Sequence, residues 1–268
     1  MTDASITMLL DVSTIEVFLI ALAMFAAGGV TGLTGFGFAL VSTATLAVVL
    51  DPQTAVVIAI LPVLATNLEL ANELDRERLR HCVGQFWLFL LAAAIGTVLG
   101  MVLLRRIPAV LFTLVLGVLI LVYVLFTQTL VPIRGVEQVS TRFVRQNTVV
   151  NAGVGFAGGA VFGASNIGVP VVAYLDSFGL DRSTFVGLLA LILLGISTLR
   201  VGVAWGLGLY GSNSLLLLSA GAALPALLGT VSGQAIRHRL PDRYIGAGVL
   251  VLLAIIGIRL TVSGLRML

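Results

Sequence analysis

The sequence contains no lysine, a single cysteine and few charged residues of either sign. All 15 basic residues are arginine, 12 residues are acidic, and charged residues make up 10% of the 268 positions. Soluble domains carry about 25% charged residues, so these charges are too few to cover a water-facing surface. The absence of lysine excludes a P-loop, GxxxxGK[ST], and therefore an ATP-driven motor within this chain.

The single cysteine and the absence of clustered polar ligands in the sequence exclude further classes of protein. Cys82 alone allows neither an internal disulfide nor a cysteine metal site, and His81 and His238 show no metal-ligand spacing. No GxSxG elbow and no nucleophile–base arrangement is present. The formal net charge of +3 is small and dispersed, which argues against a nucleic-acid partner. We therefore expect no enzyme, no cofactor and no bound metal.

Hydrophobic residues are what the sequence has in excess. They form 59% of the chain, in runs long enough to enter a bilayer. This predicts an all-α polytopic membrane protein surrounded by membrane lipids, with a first transmembrane repeat at 1–130, a cytoplasmic linker at 131–146 and a second transmembrane repeat at 147–268. The apolar stretches lie at approximately 15–28, 38–50, 53–73, 83–104 and 108–130, and then at 148–160, 168–178, 183–208, 213–236 and 244–265.

The distribution of arginine predicts the orientation in the membrane. Cytoplasmic loops are enriched in positive charge, so the face with more arginines is predicted to be cytoplasmic and both termini to lie outside a cell inner membrane. The start of the chain, with Asp3 and Asp11 and no early arginine, does not resemble a cleaved signal peptide. The arginine-rich face collects Arg76, Arg78, Arg80, Arg134, Arg142, Arg145, Arg182, Arg237, Arg239 and Arg243, and the other face Arg105, Arg106, Arg259 and Arg266.

Two glycine-rich motifs open the two halves at matching positions. GGVTGLTGFG begins at Gly28 and GAVFGASNIG begins at Gly159, so the motifs are offset by 131 residues, with Asn166 at the position of a glycine. Shortly afterwards DPQTA, from Asp51, matches DRSTF, from Asp181, at an offset of 130. The chain therefore contains an internal repeat.

The apolar stretch after each motif is too short to cross a bilayer alone. Stretches 38–50 and 168–178 would span about 16–20 Å as helix, against a hydrocarbon core of about 30 Å. Either each motif forms the tip of a re-entrant hairpin, which we favour, or two full spans borrow residues across the glycines. Three spans follow in both cases, so the halves are predicted to be inverted, as in transporters with interrupted helices.

Helix breaks inside a membrane favour an anion site. Helices beginning near Phe38 and Val169 would point free N–H groups and positive dipole ends at the protein centre. The alternative is close helix packing through the GxxxG spacing of Gly28 and Gly32. We predict a substrate site between the repeats, near the bilayer midplane, lined by Gly32, Thr34, Gly35, Gly37, Gly163, Ser165, Asn166 and Gly168.

Two charged residues lie within apolar stretches, where charges are rare. At the offset of 131, Arg200 is equivalent to Glu69, so the two could pair across the repeat axis. Arg200 would then hold or gate an anion, with Glu69 as counter-charge or proton carrier; the alternative is a structural ion pair. Asn67 and Thr198 are equivalent at the same offset, and either line the site or bond between helices.

These features resemble the sulfite exporter TauE/SafE family over nearly the whole chain. The likeness lies in the repeated motif, in the short proline-bearing helix of GASNIGVPVVAYL, and in the arginine-rich central linker. The resemblance implies export of small sulfur-containing anions. Asn166 and Ala39, which lies opposite Pro170, depart from the motif. The positions that match it are Gly28, Gly32, Gly35, Gly37, Gly159, Gly163, Gly168 and Pro170.

We therefore expect a secondary exporter of small anions, foremost sulfite or sulfonates, that works by alternating access. Its candidate coupling ions are H⁺ and Na⁺. An anion channel that uses the glycine breaks as a filter, and a cation-coupled carrier of another small solute, remain open as alternatives. The sequence does not indicate an oligomeric state.

Overall fold

The protein is all-α. The computed structural model describes residues 14–71, 76–127, 148–176, 178, 182–211, 213–237 and 242–267, and these residues form eleven helices and no β-strand. In chain order the helices are α1 (Thr14–Thr34), α2 (Phe38–Leu46), α3 (Pro52–Ile58), α4 (Ile60–Ala71), α5 (Arg76–Arg106), α6 (Ala109–Thr127), α7 (Thr148–Ser165), α8 (Val169–Asp176), α9 (Arg182–Gly206), α10 (Asn213–Ile236) and α11 (Asp242–Met267).

Several of these helices have the length and composition of membrane spans. Five of them, α1, α5, α9, α10 and α11, are long and apolar enough to cross a membrane, and the bent pair α3–α4 raises the number to six. Helices α6 and α7 are apolar but somewhat shorter. Large apolar side chains such as Leu224 and Ile255 are exposed on the outer surface, as expected of a lipid-facing protein. The predicted all-α polytopic fold is confirmed.

The stretch predicted as one span at 53–73 is instead bent by 40° between α3 and α4. Asp51 starts α3, because its carboxylate accepts from the backbone N–H groups of Gln53 and Thr54, both at 3.1 Å. The bend follows from Pro62, which has no N–H to donate to the carbonyl of Ile58. Ser219 Oγ donates to that carbonyl instead, at 2.8 Å.

The first helix among the described residues, α1, is longer than the apolar stretch predicted for it. The stretch at 15–28 continues as helix through the glycines to Thr34, so α1 has 21 residues and spanning length. Among the described residues, the helix that follows each glycine motif is a half-helix, with nine residues in α2 and eight in α8. Glycine is tolerated within α1 because a neighbouring helix approaches it closely.

Two parallel helix pairs, joined through glycines, connect the halves. Helix α1 packs on α10, and a Cβ atom at Gly28 or Gly32 would overlap the backbone of α10. Helix α7 packs on α5 in the same way through Gly159 and Gly163. In each pair the numbers of the contacting residues increase together along the two helices, so the two helices are parallel. The facing sequences are GTVSG at 229–233 in α10 and GTVLG at 96–100 in α5.

The two halves are inverted relative to each other. Leu104 and Arg105, near the end of α5, line one surface groove with Leu215, near the start of α10, and with Asp51, which follows α2. We call this side the Arg105 face. Helices α5 and α10 therefore run in opposite directions, and so do their parallel partners α7 and α1. Because α1 starts at the Arg105 face and the segment after α2 returns to it, α1 and α2 form a hairpin of one helix of spanning length and one half-helix, which begins and ends on the same side.

The remaining contacts follow the same pseudo-twofold relation. Helices α6 and α11 are equivalent in the two halves, and they pack antiparallel, with Gly117 near Thr261 and Gly264 near Leu114. Helices α4 and α9 also pack on each other. Each half therefore supplies helices to the other's packing. The linker predicted at 131–146 lies outside the described residues.

Candidate functional site

A cavity of about 40 Å³ lies between the two halves. This volume is enough for roughly three water molecules at ~10–15 Å³ each, or for one small ion. Both halves supply its wall, and Gly37 and Gly168, which are equivalent residues, both line it. Its other lining residues include Thr31, Phe38, Ala39, Leu40, Val63, Asn67, Tyr123, Phe162, Asn166, Val172 and Leu193.

Both half-helices begin at this cavity. Gly37 adopts a left-handed conformation with φ of 99° and caps α2 without any side-chain hydrogen bond. The first three residues of α2 line the cavity, and first-turn N–H groups of a helix have no intrahelical acceptor. At the start of α8, Gly168 and Val172 line the same cavity. The predicted convergence of two helix N-termini is therefore present.

The breaks in the two halves use different residues to make equivalent contacts. Asn166 has a φ of 63° and Gly35 a φ of 88°, so both are left-handed. Asn166 Nδ2 donates to Thr43 Oγ1 at 2.8 Å and to the carbonyl oxygen of Val56 at 3.1 Å. Gly35 lies against Val186, which is the equivalent of Val56 at the offset of 130. Each break is thus held by the other half.

Glycine is required at position 35 for two reasons, which two substitutions separate. Gly35→Ala adds a Cβ that overlaps the side chain of Val186. It also forces an alanine into the left-handed backbone conformation that glycine adopts there. We therefore expect the substitution to destabilise the protein by about 2–4 kcal/mol. Gly37→Ala imposes only the backbone cost, because no atom lies within 4 Å of its Cβ position. Thermal unfolding in detergent measures both variants. The steric explanation would be contradicted if the two variants lose equal thermal stability. It would also be contradicted if Val186→Ala, combined with Gly35→Ala, restores none of the lost stability.

Thr34 and Ser165 were predicted to line the site, but they serve the breaks themselves. Thr34 Oγ1 is 2.9 Å from the carbonyl oxygen of Val30 and 2.6 Å from that of Phe36. Ser165 Oγ donates to Val161 at 2.7 Å and accepts from the N–H of Ile167 at 3.3 Å. Each hydroxyl satisfies backbone groups that the interruption of the helix leaves free.

Gly32 and Gly163 are packing residues and do not line the cavity. A Cβ at Gly32 would overlap the carbonyl oxygen of Thr230, and one at Gly163 that of Thr97. Glycine allows these backbones to approach closely. The structure therefore supports helix packing as the role of the GxxxG spacing. Gly37 and Gly168, which belong to the same two motifs, line the cavity. The short repeat of GTVLG in α5 and GTVSG in α10 identifies the partner helices.

Asn67 lies at the cavity, but Thr198 does not. Asn67 is buried and its Nδ2 donates to Ser197 Oγ at 3.4 Å, whereas Thr198 is exposed and bonds to Leu194 within its own helix. The error came from the offset. DPQTA and DRSTF show that one residue has been lost between the glycine motif and this region, and at the offset of 130 the equivalent of Asn67 is Ser197.

Arg200 is completely buried and does not pair with Glu69. All three of its guanidinium nitrogens lack a hydrogen-bond partner among the described residues. The guanidinium carbon lies 4.9 Å from the ring centroid of Phe162, a cavity-lining residue. At the offset of 130 the equivalent of Arg200 is Leu70, and Glu69 is half-buried one residue away. Adjacent helical residues point about 100° apart, which separates the two charges.

Inverted halves, interrupted helices and a cavity between them define a class of polytopic membrane proteins to which many secondary transporters belong. The chain belongs to one family within that class, the sulfite exporter TauE/SafE family, whose family model matches residues 20–260. This is a family of membrane transporters of sulfur anions. No curated protein and no solved structure matches the chain.

Proposed function

We propose that the protein is a secondary transporter of small sulfur oxyanions, sulfite or sulfonates, which it binds in the cavity between its halves and moves by alternating access. The observation that carries this proposal is the convergence of two helix N-termini on one cavity, with an unpaired buried arginine beyond the cavity wall.

The charges around the cavity favour an anion over a cation. A helix N-terminus carries about half a positive charge, and α2 and α8 both begin at the cavity. Arg200 adds a full positive charge behind the ring of Phe162. A cation in the cavity would be repelled by all three groups. Because Glu69 does not line the cavity, it also provides no local counter-charge for a cation.

The remaining wall of the cavity suits a small anion with an apolar or protonated part. Val63, Val172 and Leu193 provide apolar surface for the carbon substituent of a sulfonate. Asn166 Oδ1 is buried and has no hydrogen-bond partner among the described residues. It can accept a proton donor such as the hydroxyl of hydrogensulfite, while the N–H groups of α2 bind the oxygens.

The membrane potential supports the exporting direction. With no nucleotide motif in the chain, the driving force has to come from the substrate gradient, a coupled H⁺ or Na⁺, or the potential itself. A dianion that leaves a cell with a negative interior gains about 2.3 kcal/mol per charge per 100 mV. The proposal includes an inner-membrane location with both termini outside, which rests on the asymmetric distribution of arginine.

Efflux from proteoliposomes tests this function. We expect saturable efflux of sulfite and of methanesulfonate from liposomes that contain the purified protein, measured with and without an imposed pH gradient. Asn67→Ala, in the cavity wall, should lower the initial rate by about tenfold, which corresponds to 1.4 kcal/mol. Thr198→Val, at the exposed position one residue after Ser197, serves as the control and should leave the rate unchanged. Absence of efflux of both anions from folded, inserted protein would contradict the proposal.

A further inference from the structure

The buried face of α9 runs from the cavity towards the Arg105 face, and its residues mark the path that an anion would follow through the protein. Leu193, Ser197, Arg200 and Ala204 are spaced by four, three and four residues, so they lie on one face of the helix, and all four are buried. Leu193 lines the cavity and Ser197 bonds to Asn67. Arg200 follows about 4.5 Å further along the axis, at 1.5 Å per residue.

Beyond Arg200, an apolar cluster closes the route to the Arg105 face. Ala204, which lies one helical turn after Arg200 on the same face of α9, packs with four buried residues of α3, α4, α5 and the segment after α9. We call this cluster the plug; its members are Val57, Ile60, Met101, Ala204 and Tyr210. On its far side lies the groove of the Arg105 face, of about 260 Å³, which Val57 also lines together with Asp51 and Arg105.

The cavity extends away from the plug, towards the other face of the protein. Asn67 and Tyr123 both line the cavity, and each lies four residues before the end of its helix, α4 or α6. Both helices end opposite the Arg105 face, because α5 starts there after α4 and α6 starts at the Arg105 face after α5. The cavity and the groove are therefore separated by Phe162, Arg200 and the plug.

The repeat explains why the closed end is on this side. At the offset of 130, Val57 and Ile60 correspond to Gly187 and Ala190, and at the offset of 133 Met101 corresponds to Gln234. These three equivalents are smaller or polar, so they supply less apolar surface at the opposite face than Val57, Ile60 and Met101 supply to the plug. The asymmetry between the halves favours the state in which the Arg105 face is closed.

We infer that Arg200 is a second anion position, distinct from the cavity, enclosed between the ring of Phe162 and the plug, and that the plug is the closed gate of the Arg105 face. The inference rests on the proposed transport of anions. An anion that moves from the cavity to the groove passes the three unpaired nitrogens of Arg200 once the ring of Phe162 leaves the cavity wall. The opening of the plug then releases the anion.

Sided thiol labelling tests the gate independently of transport. In a Cys82→Ser background, Val63→Cys places one thiol in the cavity wall, and a charged methanethiosulfonate is applied to right-side-out and inverted membrane vesicles. We expect labelling at least about tenfold faster from the face opposite Arg105, as for a two-state gate that is about 90% closed. The double variant Ile60→Ala, Met101→Gln should remove this difference, whereas Ile58→Ala, a buried control outside the plug, should retain it.

Two labelling results would overturn the gate. One is equal labelling of Val63→Cys from both faces in the Cys82→Ser background with the plug unchanged, a result that does not depend on whether a plug variant folds. The other is loss of the difference in Ile58→Ala as much as in the double variant. Absence of anion efflux together with preserved one-sided labelling would instead contradict the proposed function and leave the gate standing.

Arg200→Gln tests the second anion position. Methanesulfonate, which does not react with the thiol reagent, should slow the labelling of Val63→Cys by occupying the cavity. We expect Arg200→Gln to change the concentration for half-protection by less than about twofold and to lower methanesulfonate efflux by at least about tenfold. Equal losses of protection and efflux would place Arg200 in the cavity site, and unchanged efflux would remove it from the route. Either outcome overturns the second position.

Discussion

Arg200→Leu should abolish anion transport and at the same time make the protein more stable. A buried charge without a partner destabilises a folded protein, and its replacement by an apolar side chain of similar volume is often stabilising. Leucine is the residue at the equivalent position, Leu70, where it is almost completely buried. We therefore expect the free energy of unfolding to rise by about 1 kcal/mol or more, while the cation that attracts the anion is lost.

Thermal unfolding in detergent and efflux from proteoliposomes, measured on the same preparation, test whether stability rises while transport is lost. Arg200→Lys is the informative companion, because it keeps the charge but loses the planar fork of donors, and it should retain part of the transport. Arg259→Leu, at an arginine exposed on the protein surface, controls for the general effect of removing a positive charge. If Arg200→Leu is less stable than the wild-type protein, the predicted stability gain is contradicted, and if its efflux is unchanged, the transport role of Arg200 is contradicted.

Gly163→Ala should damage the fold without altering the selectivity of transport. The added Cβ would overlap the backbone of Thr97, and a backbone atom, unlike the end of a side chain, cannot move without shifting its helix. Overpacking of this kind costs about 1–3 kcal/mol and occasionally more. The equivalent change, Gly32→Ala, meets the carbonyl oxygen of Thr230 and should have a similar cost.

A matched control for this prediction lies in the same helix. Gly153 also belongs to α7, but no atom lies within 4 Å of its Cβ position, so Gly153→Ala should be neutral or slightly stabilising through its better helix propensity. The ratio of sulfite to methanesulfonate efflux should be the same in all folded variants. A changed ratio in Gly163→Ala with unchanged thermal stability would return Gly163 to the substrate site and contradict the packing role.

The sequence predicted the site best where backbone conformation alone decides the outcome. Gly37 and Gly168 reach the cavity as expected, because a helix that breaks at glycine exposes its first N–H groups wherever the break lies. Gly32, Gly163 and Thr198 lie away from the cavity, since their positions depend on which helix approaches and on the register of the repeat to a single residue. For the same one-residue reason, Arg200 does not bond to Glu69 among the described residues.

Other contributors to the site were not identified from the sequence. Phe162 and Ser197 carry no signal of their own, because aromatic and hydroxyl side chains are common in membrane helices. Ser197 could have been found by following the offset from DPQTA and DRSTF, and the partners of the glycine motifs by matching GTVLG with GTVSG. No pattern in the sequence indicates that Phe162 lies against Arg200.

By itself, the sequence determined that this protein spans a membrane with two related, inverted halves, because long apolar runs, scarce charge and repeated motifs are local properties of the chain. Only the tertiary structure decided that α1 packs on α10 and α7 on α5, which of the motif glycines support packing and which form the cavity, and that Arg200 lies unpaired behind Phe162. The physical reason is that close backbone approach, burial and the pairing of charges depend on contacts between segments that are distant in the sequence. The repeat predicts the register of those segments only to within one or two residues, and a shift of one residue changes the face of the helix on which a side chain lies.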